Sequence, residues 1–378
     1  MKKALILHPS ISTFGGAENV LVATLEVLKR LGYEVDVYST GNPNIELLHK
    51  MISLGVNIKE SFRAIPAFIS IQSLLNILVH SSLRTKVYDM IIDTGCLYVP
   101  YTRCDIGYVH FPMYYPHLLL NSSIKSRTYG NALNVLSRFT YKMLPPYVRL
   151  LIFNSFFTKN VTLKLVIENQ ILYDSISSAR KEVLYPPVNS KSISNVARKT
   201  LHNQKENNIV VCSRIEPFKR LEVAVQIMKE VVAMKRNAKL FIIGRISSKR
   251  YYLELLQLIR RYDLTNNIYI MPNSSYRMLL DTMLKSKVFL HVARNEHFGI
   301  GIVESMAAGL VPVVHDSGGP REYVEKKYRF NDNHEAAEKI VTILDKWSPK
   351  IAQYMMQKSW LFDISFFSGR LAELLESL

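Results

Sequence analysis

Seven residues separate Glu296 from Glu304 in the run Arg294-Asn-Glu-His-Phe-Gly-Ile-Gly-Ile-Val-Glu304-Ser-Met-Ala-Ala-Gly309. A glycine-bearing loop runs from the first glutamate into a short apolar helix. Gly309 is a good helix stop, and Pro312 permits only the strand that follows. The spacing leaves Glu296 in the loop and sets Glu304 about one turn inside the helix, both near its positive end. There the backbone of Phe298, Gly299 and Ile300 offers N–H groups to an anion, while the carboxylates accept hydrogen bonds from hydroxyls. Charge-assisted bonds of that kind are worth roughly 1.5–3 kcal/mol each. A nucleotide sugar combines the required diphosphate and hydroxyls. Either glutamate alone would read as a surface residue or a first-turn charge.

Cations stand in a suitable place. Arg214 and Lys219, in Val211-Cys-Ser-Arg-Ile-Glu-Pro-Phe-Lys-Arg220, follow a strand pattern at residues 209–212. Ligands of open α/β sheets bind beyond such carboxyl ends, where two cations neutralise a diphosphate and stabilise it as a leaving group. Arg220 is a reserve for the same task, and a solvated basic turn is the plain alternative. Gly15 and Gly16, before the first helix, let backbone approach a phosphate closely. The surrounding residues do not form a G-x-G-x-x-G fingerprint, so a tight turn explains the glycines nearly as well. His110 ends a strand pattern, as a structural hydrogen bonder or as a handle for a sugar. Ser317, Gly318 and Gly319 form another turn suited to phosphate. The chain has no D-x-D pair, G-x-S-x-G, H-E-x-x-H or Walker pattern, so a metal held by the first is not supported.

The elements that position these residues alternate. The first forty residues read strand (4–8), glycine turn, helix (17–31) and strand (35–38), a βαβ opening that implies a parallel sheet. Apolar runs at 90–92, 106–109 and 150–153 continue that sheet. A double proline at Pro186-Pro187 closes the first half, and the polar stretch 189–208 reads as a linker or exposed insertion. A second βα alternation runs from residue 209 to 315. The expected domains are 1–188, 189–358, and a C-terminal helix at 359–378 that packs on either half. The fold class is α/β with two Rossmann-like, doubly wound parallel-sheet domains.

Composition narrows the function classes. The chain has 378 residues and an ordinary 48% of apolar residues, a length that suits two domains. Cys96, Cys104 and Cys212 form no paired framework and no metal-ligand spacing, which favours a reducing, cytoplasmic setting. No apolar run is long enough to span a membrane; the nearest, 64–79, reads as a buried or interfacial helix. The formal net charge is +17. Residues 106–167 carry seven Lys or Arg and no acidic side chain, interleaved with Phe111, Tyr114, Tyr115, Phe139, Tyr141 and Tyr147. That stretch suits an anionic substrate or peripheral docking on a membrane face, with a solvated basic face as the plain alternative. The charge also admits nucleic-acid binding, which predicts steep salt dependence. That reading leaves the glutamate pair and the two βα halves unexplained, so no nucleic-acid partner is expected.

In these residues the chain resembles the retaining glycosyltransferases of family 4, with the GT-B fold. The resemblance rests on Gly15-Gly-Ala-Glu18, Tyr108-Val-His-Phe111, Asn154-Ser-Phe-Phe-Thr158 and Tyr185-Pro-Pro-Val188. It continues through Ser213-Arg214, Lys219-Arg220, the Glu296–Gly309 block and Ser317-Gly-Gly-Pro320, in the family's order over roughly residues 1–325. The wording of the His110 and Glu296 motifs is most similar to mannosyltransferases that extend lipid-linked oligosaccharides. The resemblance implies two domains facing each other across a cleft, and a last helix that crosses back to the first domain. It implies a hexose transferred from GDP-mannose or a UDP-sugar to a glycan or lipid-linked acceptor, with retention and without a metal. Arg214 and Lys219 would hold the diphosphate, Glu304 the ribose and Glu296 the hexose. His110 would approach the anomeric centre, and Gly16 would let the first domain close. Many relatives carry glycine where this chain has Ser213. A nucleotide-sugar epimerase and a sucrose- or glycogen-type synthase of the same fold remain alternatives.

Overall fold

The computed structural model describes residues 2–8, 11, 15–39, 44–60, 87–96, 104–110, 148–167, 170–200 and 205–378. Two compact units emerge: Met1–Pro187 with Ile364–Leu378, and Val188–Asp363.

In the first unit the chain runs β1 (Lys3–Leu7), α1 (Gly16–Arg30), β2 (Glu34–Ser39), α2 (Ile45–Ser53) and β3 (Asn57–Glu60). It continues through β4 (Met90–Cys96), β5 (Cys104–Val109), β6 (Val148–Phe153), α3 (Phe156–Ile167), α4 (Gln170–Ser177) and β7 (Arg180–Val183). All seven strands pair in parallel in the order β3-β2-β1-β4-β5-β6-β7. The order reverses between β1 and β4. Short strands such as Ala4-Leu-Ile-Leu7 are apolar on both faces because helices cover both sides of a parallel sheet, and these four residues are buried.

The second unit holds α5 (Ser190–Thr200), β8 (Glu206–Cys212), α6 (Leu221–Met234), β9 (Lys239–Gly244), α7 (Lys249–Arg261), β10 (Ile268–Pro272), α8 (Tyr276–Lys285) and β11 (Ser286–His291). Then follow α9 (Ile300–Ala307), β12 (Val311–His315), β13 (Arg329–Phe330), α10 (Asn333–Lys346) and α11 (Pro349–Ser359). Its six parallel strands are ordered β10-β9-β8-β11-β12-β13, with the reversal between β8 and β11. Both sheets are therefore doubly wound in the same sense, the α/β architecture of a GT-B protein. Buried Lys205 donates to the carbonyls of Ala308 (2.9 Å) and Met283 (3.3 Å). The pair of bonds ties the ends of α8 and α9 to the start of β8.

The structure corrects one sequence expectation. Much of the supposed linker 189–208 is helix α5, with Ser190, Ile193, Ser194 and Ala197 buried. Its start is held by Asp363, which accepts from Ser190 Oγ (3.2 Å) and Lys191 N (2.9 Å). Ala197 packs on Ala352 and Met356 of α11. Small side chains let the backbones approach closely, so a helix poor in large apolar residues is still a core helix. The helical pattern at 359–378 is likewise divided. Trp360–Phe362 form a 3-10 turn in the second unit, and α12 (Ile364–Glu376) returns to the first. There Phe367, Leu371, Leu374 and Leu375 join the core of β1, β2 and α1.

The stretch 64–79 and most of the basic aromatic stretch, residues 111–147, lie outside the described residues. No described helix is long and apolar enough to cross a membrane.

Candidate functional site

The second sheet's reversal point carries a charged constellation. Beyond β8 the chain makes a short 3-10 turn, Pro217–Lys219, and Arg220 takes φ = 54° to launch α6. Beyond the neighbouring strand β11, the loop 292–299 carries Glu296. Lys219 Nζ lies 2.8 Å from Glu296 Oε2, and His291 Nε2 lies 3.2 Å from the same oxygen. Only a protonated Nε2 can donate to a carboxylate, which fixes that nitrogen as N–H. Burial pushes the Glu296 carboxyl up, but Lys219, the His291 hydrogen bond and charge, and His297 outweigh it and hold the group well below its ordinary range. Glu296 is thus a fixed anion with one oxygen braced from two sides.

Glu304 behaves oppositely. It lies one turn into α9, whose N-cap Gly299 has φ = 89°. Tyr276 Oη, from the first turn of α8, donates to its Oε1 at 3.3 Å. Burial raises the carboxyl to about 7 against the lowering effect of that bond. Two carboxylates in one loop–helix segment therefore differ in charge state near neutral pH, and burial alone raises one while close cations hold down the other.

Arg214 pairs with Glu216 at 3.0 Å and keeps its side chain 58% exposed. A guanidinium has five donors and an ammonium three, so both cations retain N–H groups for a diphosphate. The preceding residue, Ser213, sits against Gly244 at the end of β9. A Cβ on Gly244 would lie 1.8 Å from the Ser213 carbonyl oxygen, so glycine is required there.

The side chain of Phe298 is taken up by packing. It is 2% exposed and packs with Tyr323 and Phe362 in an aromatic trio at 5.0–5.4 Å. Any ligand contact by Phe298 therefore comes from its backbone. Tyr323 Oη donates to the Phe298 carbonyl (2.5 Å), which anchors the loop where it enters α9. The Ser317-Gly-Gly turn packs against the Glu296 loop: Gly319 N donates to Glu296 O at 2.7 Å, and Asn295 N donates to Ser317 Oγ at 2.8 Å. A Cβ on Gly318 would lie 2.3 Å from Glu296 O, and one on Gly319 would lie 2.0 Å from His297 O. This close approach accounts for both glycines. Ile300 begins α9 and is partly exposed.

The remaining candidates lie in the first unit. His110, just past β5, directs Nε2 to the Thr94 carbonyl at 2.8 Å, so Nε2 carries the proton and Nδ1 the lone pair. Burial lowers its pKa to about 4, with the nearby His8 adding to that; the Thr94 bond and Glu18 oppose it. His110 is therefore a neutral acceptor, not a cation. Asn154 Nδ2 donates to its carbonyl at 2.7 Å. Gly15 is the N-cap of α1 and Gly16 its first residue. Burial raises the Glu18 carboxyl, but His8 and the backbone at Glu18 and Gly15 more than offset that and hold it low. Glu18 is thus the anion that serves this helix end.

The structure brings Glu296 and Lys219 into contact across 77 positions. Sequence reasoning missed His291, Tyr276 and His315 as partners of the site. The first and last end the strands whose neighbouring residues were singled out, which was the available signal. Among the described residues no group of three or more His, Cys, Asp or Glu is placed to hold a metal ion.

Residues 192–359 match the family described as Glycosyl transferases group 1. Together with the fold, this match relates the chain to the GT-B glycosyltransferases. Curated relatives include the Neurospora crassa GDP-Man:Man(3)GlcNAc(2)-PP-Dol alpha-1,2-mannosyltransferase, 32% identical over 149 residues, 37% of this chain and 27% of that protein. The Xenopus tropicalis enzyme of the same description is 26% identical over 377 residues, 88% of this chain and 76% of that one. The matches to the first of these relatives, from Neurospora, Yarrowia and Dictyostelium, span only 27–46% of their length. Among solved structures, Anabaena Alr3699/HepE in complex with UDP and glucose has a TM-score of 0.70 at 18% identity, with all of both chains covered. A Rickettsia africae glycosyltransferase has a TM-score of 0.70 at 16% identity, over 100% of this chain and 98% of that one. These likenesses establish the shared fold.

Proposed function

We propose that this chain transfers a hexose, with mannose favoured, from a nucleotide diphosphate sugar to a hydroxyl of a glycan or lipid-linked acceptor. The observation that carries the reading is the Lys219–Glu296–His291 arrangement beyond β8 and β11, with Glu304 one turn into the adjoining helix. Lys219 and Arg214 supply N–H donors to the diphosphate and stabilise its charge as it leaves. Glu304 accepts from the ribose. Glu296 uses its free oxygen to accept from the hexose, and its fixed position orients the sugar. His110, neutral, accepts a hydrogen bond from a substrate hydroxyl. Mannose and guanosine are favoured because the curated relatives are described as GDP-mannose-dependent mannosyltransferases.

A thermal-shift screen against GDP-mannose, UDP-glucose and UDP-N-acetylglucosamine tests this directly. Ligand at a hundredfold its Kd stabilises the native state by about 2.7 kcal/mol, and GDP-mannose is expected to give the largest shift. If none of the three shifts the transition, the chain is not a nucleotide-sugar enzyme. Incubation with donor alone separates transfer from epimerisation, because only an epimerase converts the donor without an acceptor.

Donor binding is also expected to titrate with Glu304. Its carboxyl is raised to about 7, so it is mostly protonated at pH 6 and mostly ionised at pH 8. An ionised carboxylate is the stronger acceptor, so affinity for a nucleotide sugar should rise with pH over this interval by roughly fivefold, about 1 kcal/mol. The diphosphate diester of the donor has no ionisation there to confuse the measurement. Calorimetric titration at the two pH values should give a flat response in Glu304→Gln.

A further inference from the structure

Glu296 is braced through its carboxylate by Lys219 and His291, but a second set of contacts fixes its backbone. Asn295, immediately before it, has φ = 53°, a left-handed conformation that costs energy for a residue with a side chain. Its N–H donates to Ser317 Oγ at 2.8 Å. The same oxygen lies 2.8 Å from His315 Nδ1. The opposite ring nitrogen, His315 Nε2, lies 3.2 Å from Arg294 Nε. Arginine has no acceptor, so Nε2 must hold the lone pair and Nδ1 the proton. Every direction follows: Arg294 donates to His315, His315 donates to Ser317, and Asn295 donates to Ser317.

This arrangement begins and ends on the loop that carries Glu296. Arg294 and Asn295 are its consecutive residues, while His315 ends β12, the strand paired with β11. The two strands therefore each contribute a histidine: His291 holds the carboxylate, and His315 holds the backbone one residue away. The relay requires His315 to be neutral. Its surroundings supply that condition: burial, then Arg294, Arg220 and His291 lower its pKa to about 4, and Asp316 opposes them. The Phe330 ring packs edge-on against the imidazole at 5.6 Å.

We propose that His315 and Ser317 are positioning residues for Glu296, acting through an Arg294–His315–Ser317–Asn295 hydrogen-bond relay that holds the loop in its left-handed turn. The proposal rests on the hexose-transfer function, in which Glu296 orients the transferred sugar. Neither residue contacts the Glu296 carboxylate. Their effect is on where it stands, and a displacement near 1 Å in such a group lowers turnover by as much as a hundredfold.

The test compares wild type, Ser317→Ala, Glu296→Ala and the double variant. In Ser317→Ala, kcat should fall roughly tenfold to a hundredfold. In the Glu296→Ala background the same substitution should lower kcat no further, because the group being positioned is gone. Unchanged kcat in Ser317→Ala, or a full additional loss in the double variant, would overturn the relay. A second arm needs no activity. Carbon-13 titration of the Glu296 carboxyl, assigned by difference with Glu296→Gln, should show a higher pKa in Ser317→Ala as the carboxylate slips from Lys219 and His291. An identical titration in both proteins would also overturn the relay. Wild-type chain that transfers no hexose from any nucleotide sugar would instead refute the proposed function, and the titration would still judge the relay.

Discussion

Glu296→Ala is expected to lower kcat roughly a hundredfold while leaving nucleoside diphosphate affinity within about threefold of wild type. Two losses combine. The hexose loses a charge-assisted hydrogen bond worth about 1.5–3 kcal/mol, and Lys219 and His291 lose the oxygen they share at 2.8 and 3.2 Å. Without its partner the Lys219 ammonium is free to pair with the diphosphate alone, so ground-state binding survives while orientation of the sugar does not. This is the signature of an interaction that matters most in the transition state. Glu296→Gln should recover little, because a neutral amide cannot balance the same cation. Steady-state kinetics with a calorimetric Kd for GDP or UDP checks the division. Turnover within threefold of wild type in Glu296→Ala would remove this residue from the mechanism. Loss of nucleotide binding in place of turnover would make Glu296, not Glu304, the carboxylate that grips the ribose.

The second large effect is expected from a single methyl group. Gly319→Ala would place Cβ 2.0 Å from the His297 carbonyl oxygen and 2.8 Å from its carbonyl carbon. Both are backbone atoms of the Glu296 loop, so no side-chain rotation relieves the clash. The turn and the loop must separate, and the Gly319 N–Glu296 O bond at 2.7 Å is lost with them. Overpacking of this kind costs about 1–3 kcal/mol. The transition of the second unit should fall by several degrees, and turnover should drop at least as far as in Ser317→Ala. Gly369→Ala serves as the control, since a Cβ there meets nothing within 4 Å. Wild-type melting and turnover in Gly319→Ala would show that the two segments do not depend on each other.

Much of the second unit's fold was legible because its signals are local. Strands β8 to β12 and the helices between them follow from apolar runs bounded by glycine, proline and polar turns. Helix α5 was not legible, because serine and alanine in Ser190-Lys-Ser-Ile-Ser-Asn-Val-Ala197 carry no apolar period. They are buried by the close approach of α11, which lies more than 150 positions further on. Strands β3, β7 and β13 sit at or near the sheet margins, where short segments with charged side chains show no strand pattern. For the candidate site, Glu296, Lys219 and Arg214 were named from position and chemistry, and His110 took its role from the family resemblance. The charge states of Glu296, Glu304 and His110 were not legible.

That division has a physical cause. The sequence by itself determined the alternation of strands and helices, and hence which residues stand at the carboxyl ends of parallel strands. Only the tertiary structure decided what those residues are there. Two glutamates eight positions apart receive opposite treatment: Lys219 and His291 hold one as an anion, while burial beside Tyr276 brings the other near neutrality. Two glycines suited to phosphate in sequence are required in space by the carbonyls of residues 296 and 297. Periodicity is a property of neighbouring residues, whereas a pKa or a steric limit is set by whatever atoms the fold brings within a few ångströms.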